Sequence, residues 1–131
     1  MKKRSIILFI DDEKVCHTLA ELIIPNFTDY KLVGAFSGNE AIELAKRYAS
    51  DIALVLSDIM LPGINGYQVY SQLKEDERFA NIPFIFQSGL VSQEEELKRH
   101  VISDVTILYK PYKQSDLLKA INDTLKSSEL T

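Results

Sequence analysis

Five short apolar segments alternate along the chain with segments of helical periodicity, and this alternation constrains the fold more than any other feature. The apolar segments are 5–10, 30–36, 52–56, 84–86 and 105–109. The run 52–56 is apolar throughout, which is typical of a strand buried on both faces. Strands that alternate with helices form a parallel sheet with right-handed crossovers and helices on both faces. The sequence therefore predicts an α/β fold with a doubly wound, five-stranded parallel sheet.

The helices are predicted from apolar residues that recur at helical spacing. For the first helix we expect the row Val15, Leu19, Leu22 and Ile23 to face the core, and Pro25 to end the helix. The later rows are Ala41, Leu44, Ala45 and Tyr48; Val69, Tyr70 and Leu73; Leu97 and Val101; and Leu117, Leu118, Ile121 and Leu125. Residues 1–131 are expected to form a single domain, with a core at about 5–126 and a polar tail at 127–131.

Composition limits the classes of partner. Net charge is −4, which argues against direct binding to nucleic acid or to an anionic membrane surface. The single Cys16 excludes an internal disulfide and fits a reducing compartment. The apolar run 6–10 is too short for a signal peptide, and no segment approaches transmembrane length. A cytoplasmic location is therefore expected.

Acidic residues follow two of the predicted strands. For a doubly wound sheet of this size we expect the flavodoxin-like strand order 2-1-3-4-5, whose ligand crevice lies between the carboxyl ends of strands one and three. Asp11 and Asp12 follow the first strand, and Asp58 follows the third. An acid after a strand is commonly a turn or helix-start residue, but this topology brings all three carboxylates to one site.

Three converging carboxylates need a counter-charge, because two of them about 4 Å apart repel by roughly 4 kcal/mol at an effective dielectric near 20. Oxygen ligands without His or Cys favour a hard cation, and Mg²⁺ also binds phosphate. Lys110 after strand five and one Mg²⁺ balance the three acids, while Ser88 after strand four adds a hydroxyl. An Asp carboxylate can accept a phosphoryl group. The residues therefore predict phosphoryl transfer to Asp58.

Together these motifs resemble the receiver domain of two-component response regulators, and in particular single-domain receivers like those of chemotaxis. The resemblance covers about 6–125, and its motifs are Asp11-Asp12-Glu13, the loop from Asp58 to Gly66, Ser88-Gly89 and Lys110-Pro111. It implies that Asp58 is the phospho-acceptor and that Asp12 binds Mg²⁺ directly. It also implies that Asp11 binds the ion mostly through water, and that the backbone carbonyl of Met60 is a further protein ligand.

The resemblance also implies that the Ser88 hydroxyl moves to the phosphoryl group, that Lys110 is the family's lysine, and that a cis peptide precedes Pro111. The chain departs from the family at Ile107, where many receivers carry the aromatic residue of a rotameric switch. Tyr109, next to Lys110, is aromatic but is expected to point to the face of the sheet opposite the lysine, because strand side chains alternate. The departure puts the usual aromatic switch in question, but not phosphorylation.

By the same resemblance, the phosphoryl donor is a phosphohistidine on a sensor histidine kinase or a histidine phosphotransfer protein. A downstream protein target would bind the face formed by the fourth predicted helix, the fifth strand and the last helix. The chain would catalyse its own phosphorylation and slow dephosphorylation without being a conventional turnover enzyme. Because no DNA-binding segment follows the last predicted helix, we expect a stand-alone receiver or a receiver cut from a longer protein.

Two other functions compete with this interpretation. A Mg²⁺-dependent phosphohydrolase would also use an aspartyl-phosphate, but Met60 occupies the position where such enzymes often keep a second acid. A pseudo-receiver would bind a protein without ever accepting phosphate, and only Ile107 favours it. His17, on the first predicted helix, is interpreted as a solvent-exposed histidine without a phosphotransfer role.

Overall fold

A computed structural model describes residues 3–89 and 105–129. The strands are β1 (Ile6–Ile10), β2 (Lys31–Ala35), β3 (Ile52–Asp58), β4 (Phe84–Ser88) and β5 (Thr106–Tyr109). The helices are α1 (Lys14–Phe27), α2 (Gly38–Arg47), α3 (Gly66–Lys74), a short 3₁₀ helix (Glu77–Phe79) and a C-terminal helix (Gln114–Glu129). The fourth predicted helix, with Leu97 and Val101, lies outside the described residues.

All five strands are parallel, and their order is β2-β1-β3-β4-β5, as predicted. Every residue of β1, β3 and β4 is buried, in agreement with strands covered on both faces. Ile10 pairs with Ser57 between β1 and β3, and Asp58 pairs with Gln87 between β3 and β4. The carboxyl ends of the three central strands therefore meet at one edge of the sheet.

Helices cover both faces of the sheet in two hydrophobic layers. One layer packs residues of α2 and α3, such as Ala41, Ala45 and Leu73, against the sheet. The other packs residues of α1 and the C-terminal helix, such as Ile24 and Ile121, against the opposite face. This arrangement is the predicted doubly wound fold. None of the helices in the described part of the chain combines the length and apolar composition that a bilayer-crossing segment needs.

The predicted core row of α1 is wrong. Three of its members face solvent: Val15 is 61% exposed, Leu19 54% and Leu22 58%. The residues that face the sheet are His17, Ala20 and Ile24. They also lie on one helical face, and a small Ala at its centre lets the helix approach the sheet closely. Ile23 is at the margin of the buried face, because it packs against the core while remaining partly exposed.

Pro25 does not end α1. The helix continues to Phe27 and has Pro25 inside its last turn. A proline removes one backbone donor and usually disrupts a helix interior, but near the end of a helix few turns remain to be disrupted. The C-terminal helix likewise extends further than expected, to Glu129, so that part of the predicted polar tail is helical.

His17 is buried, which corrects its interpretation as a solvent-exposed residue. Its side chain is 3% exposed, and Nε2 lies 2.7 Å from the backbone oxygen of Asp11. The ring stacks on Phe36 with centroids 3.9 Å apart and meets Phe9 edge-on at 4.9 Å. Gly34 makes room for it, because a Cβ there would lie 2.6 Å from Nδ1. His17 therefore anchors the backbone just after β1.

Candidate functional site

The three predicted acids converge. Asp11 directly follows β1, and Asp58 is the last residue of β3. One carboxylate oxygen from each of Asp11, Asp12 and Asp58 lies within 4.8 Å of the other two. Asp11 is fully buried and Asp58 nearly so, whereas Asp12 is exposed. The cluster therefore has a buried side formed by two strand ends and an open side through which a ligand can reach it.

Lys110 joins this cluster from the end of β5. Its Nζ lies 3.0 Å from Asp11 Oδ2 and 3.2 Å from Asp58 Oδ2, so one ammonium group bridges two of the acids. Its backbone N–H donates to the Ser88 carbonyl at 2.8 Å, which fixes the chain at the end of β4. The Lys110–Pro111 peptide is cis, as the family resemblance implies.

The charges in the site perturb one another strongly. Burial raises the pKa of Asp58 from 3.8 to about 6, although the nearby Lys110 opposes this shift. Burial alone would lower the pKa of Lys110, but its hydrogen bonds and charge interactions with Asp11 and Asp58 raise it above the ordinary value. With three carboxylates and one ammonium group, the ionised cluster carries a charge of −2, which one divalent cation would balance.

The donor set fits a hard divalent cation. All three clustered side chains offer carboxylate oxygens, and Mg²⁺ binds proteins through a few such oxygens while it retains several waters. Met60, two residues after Asp58, has an exposed side chain, and its backbone carbonyl remains a predicted ligand. Gly66 lets α3 begin against the acceptor strand, because a Cβ there would collide with the Asp58 carbonyl oxygen.

Ser88 lies at the same edge of the sheet. It is the last residue of β4 and fully buried, and it follows Gln87, the β-ladder partner of Asp58. A Cβ built on the adjacent Gly89 would meet nothing within 4 Å, so there is open space beside Ser88. In β5, Ile107 pairs with Phe86 and packs, partly buried, against the α2–α3 layer. The predicted movement of the Ser88 hydroxyl stays a prediction.

Two polar residues that the sequence analysis did not assign to the site also contact it. Gln87 is fully buried, and its Nε2 donates to Asp11 Oδ2 at 2.8 Å. The Tyr112 hydroxyl donates to Gln87 Oε1 at 2.7 Å. An amide at the end of the apolar run Phe84-Ile85-Phe86 was the available signal, because buried polar side chains need partners.

Comparisons with known proteins agree with this geometry. A family model described as response regulator receiver domain matches residues 7–122. Among relatives, a probable transcriptional regulator, ycf29, of Pyropia yezoensis is 35% identical over 101 residues, which cover 73% of this chain and 45% of that protein. The response regulator SaeR of Staphylococcus aureus is 28% identical over 123 residues, covering 91% of this chain and 50% of that protein. The chain thus spans about half the length of these curated relatives.

Among solved structures, a response regulator receiver protein from Sinorhizobium medicae superimposes with a TM-score of 0.82 at 27% sequence identity. The match covers 95% of this chain and 97% of that chain. Family model, relatives and fold agree with the residues gathered at the strand ends. The chain therefore belongs to the response regulator receiver family of two-component signalling.

Proposed function

We propose that this chain is a phospho-accepting receiver in which Mg²⁺-dependent transfer of a phosphoryl group from phosphohistidine to Asp58 switches the binding of a protein partner. The observation that carries the proposal is the bridge from Lys110 Nζ to Asp11 Oδ2 and Asp58 Oδ2, at 3.0 and 3.2 Å, within a cluster of three acids. The bridge places the ammonium group of Lys110 beside a carboxylate oxygen of the acceptor Asp58. The receiver family is a signalling module and not a conventional enzyme, which agrees with this role.

Receiver domains bind Mg²⁺ at an acidic pocket. We assign Asp12 and Asp58 as direct ligands here, Asp11 as a ligand mostly through water, and the backbone carbonyl of Met60 as a further protein ligand. The 4.8 Å clustering of the three carboxylates supports the assignment of the acids. When bound, the ion would neutralise charge on the phosphoryl oxygens.

In the proposed transfer, a carboxylate oxygen of Asp58 supplies the electron pair for a new O–P bond. The P–N bond of the phosphohistidine breaks at the same time, and the donor imidazole keeps that electron pair. Lys110 and the Ser88 hydroxyl contact the remaining phosphoryl oxygens and stabilise their charge. Slow dephosphorylation is the attack of water on the same phosphorus, which releases inorganic phosphate and restores the Asp58 carboxylate.

Receiver domains interact with histidine kinases and downstream effectors. We propose a sensor histidine kinase or a histidine phosphotransfer protein as the donor to this chain. The target would bind the face formed by the fourth predicted helix, β5 and the C-terminal helix, where Tyr109 is an exposed aromatic residue. We further propose that residues 1–131 act as one receiver domain in the cytoplasm, with no direct contact to nucleic acid or membrane.

Phosphorylation can switch binding only if the phosphoryl group stabilises the active arrangement more than the inactive one. Ile107 has no ring at the position of the usual aromatic residue, so the ring rotation found in many receivers has no counterpart at this position. We therefore propose that the switch proceeds through contacts of Ser88 and Lys110 with the phosphoryl group. Their backbones are joined by the hydrogen bond from Lys110 N to Ser88 O, so a movement of one segment is transmitted to the other.

The test is the intact mass after incubation with acetyl phosphate and Mg²⁺. We expect one added phosphoryl group on the unmodified chain, none in EDTA and none on Asp58→Asn. Asp123→Asn is the matched control, because Asp123 is an exposed acid of the C-terminal helix that pairs with Lys119, and this variant should accept phosphate normally. An Asp58→Asn chain that still gained a phosphoryl group would rule out Asp58 as the acceptor. Rapid multiple-turnover phosphate release would instead indicate a phosphohydrolase.

A further inference from the structure

We propose that Gln87 and Tyr112 are positioning residues for the metal site: Tyr112 orients the Gln87 amide, and Gln87 holds the Asp11 carboxylate in place for the cation. The inference rests on the proposed function, because it takes Asp11, Asp12 and Asp58 as the acids that hold Mg²⁺. It adds two residues that contact neither the ion nor the phosphoryl group.

The Asp11 carboxylate is held from three sides. Oδ1 accepts the backbone N–H of Glu13 at 2.9 Å, and Oδ2 accepts Lys110 Nζ at 3.0 Å and Gln87 Nε2 at 2.8 Å. Asp11 is fully buried, so bulk water does not compete with these donors in the unmodified chain. Each donor therefore contributes to the orientation of the carboxylate, and Gln87 shares Oδ2 with the lysine that also contacts Asp58.

The Gln87 amide can serve Asp11 in only one of its two orientations. With Nε2 toward Asp11 Oδ2 it donates a hydrogen bond, whereas the flipped amide would place Oε1 against a carboxylate oxygen. The acceptor-only carboxylate selects the first orientation, and Tyr112 holds the amide in it, because its hydroxyl donates to Oε1 at 2.7 Å. Burial raises the pKa of Tyr112 to about 12, so the hydroxyl keeps the proton that it donates at neutral pH.

These contacts give the loop after β5 two connections to the same carboxylate. Lys110 reaches Asp11 directly, and Tyr112, two residues later, reaches it through Gln87. Groups that hydrogen-bond to metal ligands fix the orientation of those ligands, and their loss commonly weakens metal binding by about 10- to 100-fold. We therefore expect the affinity for Mg²⁺ to depend on a glutamine and a tyrosine that do not coordinate the ion.

The test measures the Mg²⁺ dissociation constant by isothermal titration calorimetry on the full chain. We expect Gln87→Leu to raise it by about 10-fold or more, as for the loss of other groups that orient metal ligands. Tyr112→Phe should raise the dissociation constant by less, because the amide donor remains but the hydrogen bond that holds Oε1 is lost. The double variant should bind no more weakly than Gln87→Leu, since Tyr112 acts through Gln87. Tyr70→Phe, a half-buried tyrosine on the other face of the sheet, should not change it.

A second readout separates positioning from general stability. The side-chain amide protons of Gln87 should give slowly exchanging nuclear magnetic resonance signals in the unmodified chain. Tyr112→Phe should shift these signals and speed their exchange, while the backbone signals of α2 and α3 stay in place. If Gln87→Leu does not fold, the test rests on Tyr112→Phe, which retains the aromatic ring. Its effects on the dissociation constant and on the Gln87 signals are then judged together.

The outcomes distinguish this inference from the proposed function. If the unmodified chain binds Mg²⁺, Asp12→Asn abolishes binding, and Gln87→Leu and Tyr112→Phe leave the dissociation constant unchanged, the metal site stands and the inference is wrong. If the effects of the two single substitutions multiply in the double variant, Tyr112 does not act through Gln87 and the proposed connection is wrong. If the unmodified chain does not bind Mg²⁺, the metal site and the inference are both refuted.

Discussion

The unusual ionisation of Asp58 predicts that the substitution Asp58→Asn stabilises the metal-free protein at neutral pH. Burial and the nearby Asp11 raise the pKa of Asp58 from 3.8 to about 6, even though Lys110 contacts the carboxylate at 3.2 Å. The charged carboxylate is therefore less favourable in the folded state than in the unfolded chain. An Asn side chain has nearly the same shape and removes this unfavourable charge.

The size of the effect follows from the pKa shift. One pKa unit corresponds to about 1.36 kcal/mol, so a shift of about two units sets an upper limit near 3 kcal/mol. Solvent screening reduces this value, because the side chains of Asp58 and Lys110 are 11% and 23% exposed. We expect Asp58→Asn to raise the free energy of unfolding by about 1–2 kcal/mol above pH 7. For a chain of this length that is a rise of roughly 4–7 °C in Tm.

The pH dependence gives the sign of the effect. Because the pKa of Asp58 is higher in the folded state, the folded protein binds more protons than the unfolded chain between about pH 4 and pH 6. The contribution of Asp58 to stability is therefore most favourable below pH 4 and is lost as the pH rises through 6. The advantage of Asp58→Asn over the unmodified chain should be small at pH 4, grow up to pH 6 and stay constant above it.

The assay is urea unfolding of both chains in EDTA at a series of pH values between 4 and 8. Subtracting one curve from the other removes the titration of groups that the two proteins share. A difference that does not vary with pH, or an Asp58→Asn chain that is less stable at pH 7.5, would refute the reasoning. The second result would mean that the ion pair with Lys110 outweighs the cost of burying the carboxylate.

Three further predictions concern metal binding and packing. Mg²⁺ at 100 times its dissociation constant should raise the free energy of unfolding by about 2.7 kcal/mol, measured by urea unfolding, and Asp12→Asn should remove this gain. Gly66→Ala should lower the free energy of unfolding by about 1–3 kcal/mol in the same assay, because the new Cβ collides with the Asp58 carbonyl oxygen. An unchanged free energy of unfolding would contradict this close approach. Lys74→Met should cost about 1–3 kcal/mol in thermal unfolding, because Lys74 Nζ donates to three backbone carbonyls. Lys119→Met, which breaks only an exposed ion pair, is the control and should change Tm little. Equal losses of Tm in the two variants would refute the role of Lys74.

The strands and the acidic edge could be predicted because their determinants are local. A run such as 52–56 is typical of a strand buried on both faces of a parallel sheet, and the predicted site residues lie at or just after the ends of β1, β3, β4 and β5. Once the strand order is fixed, Asp11, Asp58 and Lys110 must come together, and the structure shows that they do. Short motifs at strand ends thus carry long-range information through the topology of the sheet.

The orientation of α1 could not be predicted in the same way. Periodicity identifies an apolar row, but it does not establish whether that row faces the sheet. Here the helix buries His17, Ala20 and Ile24 instead, because the His17 ring stacks on Phe36 and reaches the Asp11 backbone. The stacking on Phe36 joins α1 to the residue after β2, and a pattern within α1 contains no information about it.

The Gln87–Tyr112 pair was missed for a related reason. The two residues are 25 positions apart and belong to different elements, so no spacing rule connects them. Their contact depends on how β4 and the loop after β5 lie beside one another, and the requirement that a buried amide be satisfied becomes visible only in three dimensions.

The strand order also has a consequence for the order of folding. The first 58 residues contain β1, β2 and β3, and therefore all three acids, whereas Lys110 follows β5, which pairs with β4. A nucleus built from the nearest strands along the chain would gather three negative charges before the ammonium group that offsets them arrives. Hydrogen-exchange pulse labelling during refolding should show early protection in β1 and β3 and late protection in β5, and simultaneous protection would contradict this order. The addition of β5 would then complete the sheet and bring the ammonium group to its acidic edge in the same step.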